Sequence, residues 1–201
     1  MDGPPRRKTI TDHLAFLQVL LLSPARTGAI APSSVRLARA MVDGLIVAPG
    51  ETIVEFGPGT GAFTAEIRRI LPPQSSYLGI EIEPRFAELL RRRYPDLHFV
   101  EGSAEHAAQF LAKAGYDRVK AIICGLPFAS LSSGVQDGII EALETLVAPG
   151  VQFRTFQYVH AYGLPPAVRF RRRMGERFGP VTREAMVLRN LPPAYVLRWS
   201  R

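Results

Sequence analysis

Cys124 is the only cysteine in the chain, so no intramolecular disulfide can form and a reducing compartment is the expected setting. The four histidines are scattered, and none stands in a cluster with metal-ligand spacing. No apolar run reaches the about twenty residues that a spanning helix needs. The nearest, residues 10–22, is interrupted by Asp12, His13 and Gln18, and the following Ser23-Pro24-Ala25-Arg26 makes a poor signal-peptide cleavage site. Carboxylates are also short, at 18 against 25 lysines and arginines, which leaves a formal charge of +7 and a pI near 10.1. An anionic partner follows, and nucleic acid and anionic membrane are the two classes that fit. At 201 residues, 47% of them apolar, the chain suits one domain with a substantial core.

Glycine is concentrated where it matters most. Residues 52–61 read Thr-Ile-Val-Glu-Phe-Gly-Pro-Gly-Thr-Gly. A short apolar run breaks into alternating glycines and is followed by helical patterning over 62–70, which predicts a buried strand, a tight turn and a helix with outward-facing N-terminal amides. Glycines let a ligand approach the backbone, and free amides attract negative charge. Gly57, Gly59 and Ala62 satisfy the looser dinucleotide fingerprint, so spacing alone leaves a nicotinamide cofactor open. Glu55 argues against it, because a carboxylate two residues before Gly57 suits an ammonium group better than a pyrophosphate. A second buried strand over 77–83 carries Glu81, about twenty residues beyond the glycines, where a carboxylate can accept hydrogen bonds from both hydroxyls of a ribose. Ile82 would then lie against the adenine. Glu83 reads more simply as the cap of the helix that Pro84 opens.

Toward the N-terminus, Arg6, Arg7 and Lys8 precede a helix from about Thr9, with Ile10, Leu14, Leu17 and Leu21 along one face. Basic residues ahead of an apolar helix suit the membrane interface, and docking on the protein's own core fits equally well. A second helix is expected over 34–43 with Val35, Ala38, Met41 and Val42 inward. Later strands are expected over 97–101, 119–124 and 152–158, with helices over 85–94 and 135–147. The runs 181–188 and 194–199 are joined by a link that permits only an antiparallel pair. These elements predict an α/β, Rossmann-like sheet of seven mostly parallel strands with a C-terminal hairpin. Ligands bind at the carboxyl ends of such strands. That rule places Gly102-Ser103-Ala104-Glu105 beside the adenine, and Gly125-Leu126-Pro127-Phe128, Tyr158, His160 and Tyr162 at the same edge. Residues 1–44 are expected to form membrane-associating and cofactor-covering helices, and 45–201 the catalytic domain.

Glu55, Gly57, Gly59 and Gly61 resemble the first motif of the S-adenosylmethionine-dependent methyltransferases, whose cofactor carries an amino acid instead of a diphosphate. Thr27-Gly28-Ala29-Ile30-Ala31-Pro32-Ser33-Ser34, Gly125-Leu126-Pro127-Phe128 and Asn190-Leu191-Pro192-Pro193-Ala194 extend the likeness. Together they resemble the bacterial phospholipid N-methyltransferases over almost the whole chain. The resemblance implies a class I fold, S-adenosylmethionine as cofactor, and successive methylation of phosphatidylethanolamine to phosphatidylcholine. It also implies a cytoplasmic enzyme held peripherally on the inner face of the bacterial inner membrane. The cofactor contacts it suggests are Glu55, Gly57, Gly59, Thr60, Gly61, Glu81, Ile82, Gly102, Ser103, Ala104 and Cys124; substrate contacts are Thr27, Phe128, Tyr162 and Arg169. A monomer with no nucleic-acid partner is expected. One position departs from the pattern: relatives often carry Asp where Ser103 stands, and the adenine contact could pass to Glu105. The ribosomal RNA adenine dimethyltransferases resemble the Gly-Leu-Pro turn but open it with Asn or Asp; Cys124 in that place favours an aliphatic amine over a nucleobase.

Methyl transfer to an amine is an in-line displacement that needs the amine aligned and unprotonated. The carbonyls of Gly125 and Leu126 could accept its hydrogens, with Phe128 as an aromatic wall. Tyr158 could hydrogen-bond the amine, its ring could stabilise a methylated cation, and His160 could take a proton. Packing of the hairpin accounts for the same rings. Arg169, Arg171, Arg172, Arg173 and Arg177, interleaved with Val168, Phe170 and Met174, form a basic helix suited to anionic headgroups, to RNA phosphates or to solvent. Two other readings remain at this point: a ribosomal RNA adenine N6-dimethyltransferase, and a cofactor- or membrane-binding protein without catalysis.

Overall fold

The structure is a computed structural model and describes residues 32–201. The helix expected over 10–22 and the expected substrate contact Thr27 lie outside these residues. Seven strands form one sheet: β1 (Thr52–Phe56), β2 (Ser76–Glu81), β3 (His98–Glu101), β4 (Val119–Cys124), β5 (Gln152–Tyr158), β6 (Thr182–Val187) and β7 (Ala194–Ser200). Their order is β3-β2-β1-β4-β5-β7-β6. The first five pair in parallel and β7 pairs antiparallel with both β5 and β6. The seven-stranded, mostly parallel sheet with a terminal hairpin is the one the sequence predicts, and β4 and β5 fall on the predicted residues.

Six α-helices connect the strands: α1 (Pro32–Val42), α2 (Ala62–Ile70), α3 (Pro84–Arg93), α4 (Ala107–Ala114), α5 (Ser133–Leu146) and α6 (Pro165–Phe178). The parallel strands are buried on both faces, so they read as continuous apolar runs. On one face Ile53, Tyr77, Ile123 and Phe156 pack with Leu37 and Met41 of α1, Ile67 of α2 and Leu90 of α3. On the other, Val54, Phe56, Ile122 and Phe153 pack with Leu111 of α4, Ile140 of α5 and Phe170 and Met174 of α6. Burying a side chain the size of Phe56 stabilises the fold by roughly 2–3 kcal/mol.

Three elements differ from the sequence reading. In α1 Ala38, Met41 and Val42 face inward as expected, but Val35 is 40% exposed and Leu37 completes the stripe in its place. Its C-terminus is held by Arg154 of β5, which donates to the carbonyls of Met41 (3.3 Å) and Asp43 (2.6 Å). Helix α4, alanine-rich and ended by Gly115 at φ 70, has too few large apolar residues to show in the pattern. Glu83 stands at the N-cap of α3 without a side-chain capping bond; Pro84 sets the helix start.

Candidate functional site

The carboxyl ends of β1, β2, β3 and β4 are stitched together by backbone bonds. Gly57 N donates to Ile80 O (2.9 Å), Gly102 N to Glu81 O (2.9 Å) and Gly125 N to Phe56 O (2.8 Å). Gly57, Gly59 and Gly61 all have positive φ, at 66, 57 and 85, a region costly to residues with a side chain. Space sets a second demand. A Cβ on Gly57 would lie 2.5 Å from Leu126 Cδ2, and one on Gly125 would lie 2.7 Å from the carbonyl oxygen of Gly57. The turns after β1 and β4 therefore touch through glycine, with Leu126 packed over Gly57, and together they border the candidate crevice at the carboxyl edge.

Glu55 is fully buried beneath this crevice. Its Oε2 accepts from Tyr77 Oη (2.6 Å) and Thr64 Oγ1 (2.8 Å), while Oε1 has no partner among the described residues. Burial pushes its pKa up to about 7 against the pull of Tyr77 and Thr64. An unsatisfied buried carboxylate oxygen is costly, and a cation offsets that cost best. This orphaned oxygen is the feature that fits the ammonium of an amino-acid-bearing cofactor. Glu81 Oε2 accepts from Gly59 N (2.8 Å) and Oε1 from Glu83 N (2.9 Å), tying the glycine turn to the end of β2. Burial raises its pKa, opposed by those amides. Each oxygen keeps a further lone pair for a ribose hydroxyl. Beside it Ile82 is 38% exposed, and Thr60 O accepts from Arg93 Nη1 (3.3 Å).

Ser103 closes the third strand end. Its Oγ accepts from Glu105 N (3.3 Å) and donates to Glu105 Oε2 (2.8 Å), so its hydroxyl serves Glu105. The Glu105 carboxyl in turn fills the space that a side chain on Gly138 of α5 would need. Ala104 beside it is buried.

The structure corrects the acceptor side in several places. Phe128 is fully buried and stacks on Phe170 with ring centroids 3.7 Å apart; it belongs to the core and does not wall the crevice, a place taken by Leu126. Cys124 is also fully buried, and burial pushes its thiol up to about 12, so its side chain faces core and has no cofactor to touch. Its carbonyl accepts from Thr155 Oγ1 at 3.1 Å. Leu126 O already accepts from Phe128 N (3.1 Å), which leaves Gly125 O as the simpler acceptor for an amine. Tyr158 and His160 stack with centroids 5.7 Å apart, Tyr158 half-buried and His160 exposed. Tyr162 parts from them: the Arg171 guanidinium covers its ring at 3.6 Å and Tyr195 meets its edge.

The arginines of α6 are largely spent inside the protein. Arg173 pairs with Asp137, Arg177 with Glu144 (2.6 Å) and Arg172 with Glu176 (3.7 Å). Arg171 donates to Gln157, and Arg169 Nη2 to Gln136 Oε1 (3.4 Å) while its buried Nε has no partner among the described residues. Sequence reasoning missed Gln136. It is fully buried on α5, and its Nε2 donates to the carbonyls of Phe128 (2.5 Å) and Leu131 (3.2 Å), fixing the turn after β4. Its signal was only a polar residue on the inward stripe of an apolar helix.

Comparison with known proteins agrees with this geometry. A methyltransferase domain family matches residues 53–150. The ornithine lipid N-methyltransferase of Singulisphaera acidiphila is 30% identical over 188 residues, which span 91% of this chain and 93% of that protein. Ribosomal RNA small subunit methyltransferase A of Chlorobium phaeobacteroides is similar more locally, 33% identical over 84 residues, 42% of this chain and 29% of that protein. Among solved structures, an O-methyltransferase from Bacillus cereus in complex with SAH superposes with a TM-score of 0.64 at 16% identity, covering 98% of this chain and 92% of its own. A TehB-like SAM-dependent methyltransferase from Corynebacterium glutamicum gives 0.60 at 12% identity, covering 96% and 100%.

Proposed function

The chain belongs to the class I S-adenosylmethionine-dependent methyltransferases, in company with the ornithine lipid N-methyltransferase, and from that premise we propose that it methylates the headgroup amine of a membrane lipid. The acceptors are phosphatidylethanolamine and its monomethyl and dimethyl forms, and the end product is phosphatidylcholine. One observation carries the choice of acceptor. With Cys124 and Phe128 both fully buried, the turn after β4 offers a substrate only carbonyls and the aliphatic Leu126. A nucleobase would call for a carboxamide and a stacking ring there; a small aliphatic amine needs neither.

The bound cofactor supplies an electrophilic methyl group on a sulfonium. Glu55 Oε1 would hold the cofactor's ammonium, Glu81 its ribose, Ile82 the adenine face, and Glu105, positioned by Ser103, the adenine amino group. On the acceptor side Gly125 O takes a hydrogen of the amine and aims its lone pair into the crevice. Each transfer would form one N–C bond as the sulfonium's S–C bond breaks, with the neutral thioether S-adenosylhomocysteine as leaving group and one proton lost by the amine, which the exposed His160 passes to water beside Tyr158. Arg169, half-buried on α6, is the cation assigned to the anionic part of the headgroup.

Labelled S-adenosylmethionine, incubated with the protein and dispersed lipid, tests this reading. Label in mono-, di- and trimethylated phosphatidylethanolamine is the expected result. Label in ornithine lipid alone would move the acceptor to that lipid, and label only in ribosomal RNA would overturn the lipid reading.

A further inference from the structure

Large apolar side chains stand exposed in one connected region. Leu191 is 86% exposed, Leu188 65%, Leu164 47%, Val168 45% and Val159 37%. They are far apart in sequence, and the fold collects them. Tyr158 at the end of β5 is in register with Ala194 of β7, which is in register with Val187 of β6. Val159 N donates to Pro193 O at 2.8 Å, so the turn over 188–193 lies against the segment that leads into α6. Leu164 and Val168 are one helical turn apart at the start of that helix, with Val168 N donating to Leu164 O (3.0 Å). All five therefore lie at the carboxyl edge of the parallel strands, the edge that holds Gly125, Tyr158 and the glycine crevice.

The charge around this rim has one sign. Residues 145–175 and 185–201, which build it, contain no Asp or Glu. Arg189 stands exposed between Leu188 and Leu191, while Arg172, further along α6, is paired with Glu176. Apolar side chains beside an exposed arginine, with no carboxylate in the described segments 145–175 and 185–201, match an anionic lipid bilayer, where leucines enter the acyl boundary and arginine meets headgroups.

We propose that the β6–β7 turn and the start of α6 form a membrane-docking surface that sets the crevice against a bilayer containing anionic lipid. This rests on the lipid reading above and deepens it, since docking by this rim brings the amine to the carboxyl edge without the lipid leaving the membrane. The expected basic stripe along α6 is replaced by this apolar rim, because most of those arginines are paired within the protein.

The test is co-sedimentation of the full chain with vesicles of mixed phosphatidylcholine and phosphatidylglycerol, comparing wild type, the double variant Leu188→Glu with Leu191→Glu, and the control Leu89→Glu on α3, a residue 45% exposed away from the rim. The double variant should bind vesicles about ten-fold or more weakly, while the control binds as wild type does. Both should keep cofactor binding by calorimetry and methylation of lipid dispersed in detergent. Unchanged vesicle binding by the double variant overturns the proposal. So does a double variant that loses self-association, or melting temperature, with vesicle binding intact, since the rim would then be covered by a second copy or by the chain itself. A wild type that binds vesicles through the rim yet methylates no dispersed lipid overturns the proposed function and leaves the docking surface standing.

Discussion

The cofactor half and the acceptor half of this molecule are built on different principles. Around β1, β2 and β3 the proposed ligand surface is backbone: glycines at positive φ whose amides tie the strand ends together, and the carboxylates Glu55 and Glu81 anchored by neighbours they themselves hold. Around β4 and β5 polar side chains bond mainly to one another, Gln136 with the turn, Arg171 with Gln157, Arg169 with Gln136, and the rings of Phe128, Phe153 and Phe170 go to the core. A backbone-lined site fixes what it binds by shape. The acceptor side is left open and apolar, as a lipid requires.

Gly125→Ala breaks that division and should have the largest effect, because Gly125 belongs to the acceptor turn and touches the cofactor turn. Its Cβ would meet the Gly57 carbonyl oxygen at 2.7 Å, and neither backbone can yield without shifting reacting atoms. Displacement near 1 Å costs on the order of 100-fold in rate. Steady-state kinetics should show that loss together with weaker cofactor binding; loss of only one would mean that the two turns move independently.

Glu55→Gln sharpens the cofactor side. With its native pKa raised to about 7 from an ordinary 4.5, Glu55 keeps in the folded state a proton that the unfolded chain releases. Stability of the cofactor-free protein therefore falls as pH rises between those values, by up to roughly 1.4 kcal/mol per unit. The carboxylate formed above pH 7 is the form that holds an ammonium. Melting curves from pH 5 to 8.5 should show wild type losing stability with pH and regaining more of it from S-adenosylhomocysteine as pH passes 7. In the variant the slope and the pH-dependence of the cofactor's effect should both shrink, with about ten-fold weaker binding at pH 8. An unchanged pH profile would separate Glu55 from the cofactor.

Legibility follows the same division. Glycines and strand-end carboxylates are local in sequence, so residues 52–61 and Glu81 marked the candidate cofactor site before any contact was known, and the fold brings them together at one edge. Phe128 was misread because its fate depends on Phe170, 42 residues on, and no local pattern says which side of the turn a ring takes. Tyr162 was misread in the same way, its ring being covered by Arg171. The α6 arginines looked like a free basic stripe because their partners Asp137 and Glu144 sit on another helix. The hairpin residues Leu188 and Leu191 looked like ordinary strand and turn; only topology brings them beside Val159.

Gln136→Leu should spare the cofactor and slow the chemistry. It leaves the carbonyls of Phe128 and Leu131 without their donor, at about 1–3 kcal/mol for each buried group left unpaired. Turnover should fall roughly ten-fold with cofactor affinity unchanged, and Gln136→Asn should not restore it, being one methylene short. Equal losses in both quantities would mean that the turn after β4 is also part of the cofactor cradle.

Tyr158→Phe is the finest cut, since it removes one oxygen and keeps the ring. The ring's packing on Phe156 and His160 should survive, so melting temperature and cofactor affinity should not move. A hydroxyl that guides the amine or its departing proton contributes about 1 kcal/mol as a neutral hydrogen bond, which is a several-fold loss in kcat. That loss should be greatest with the unmethylated amine and vanish with the dimethyl lipid, whose deprotonated nitrogen has no hydrogen left to donate to Tyr158 as it attacks. Equal kcat losses for all three lipids would assign the hydroxyl to headgroup binding, and no loss for any would make Tyr158 a packing residue, leaving Gly125 O alone to orient the nitrogen.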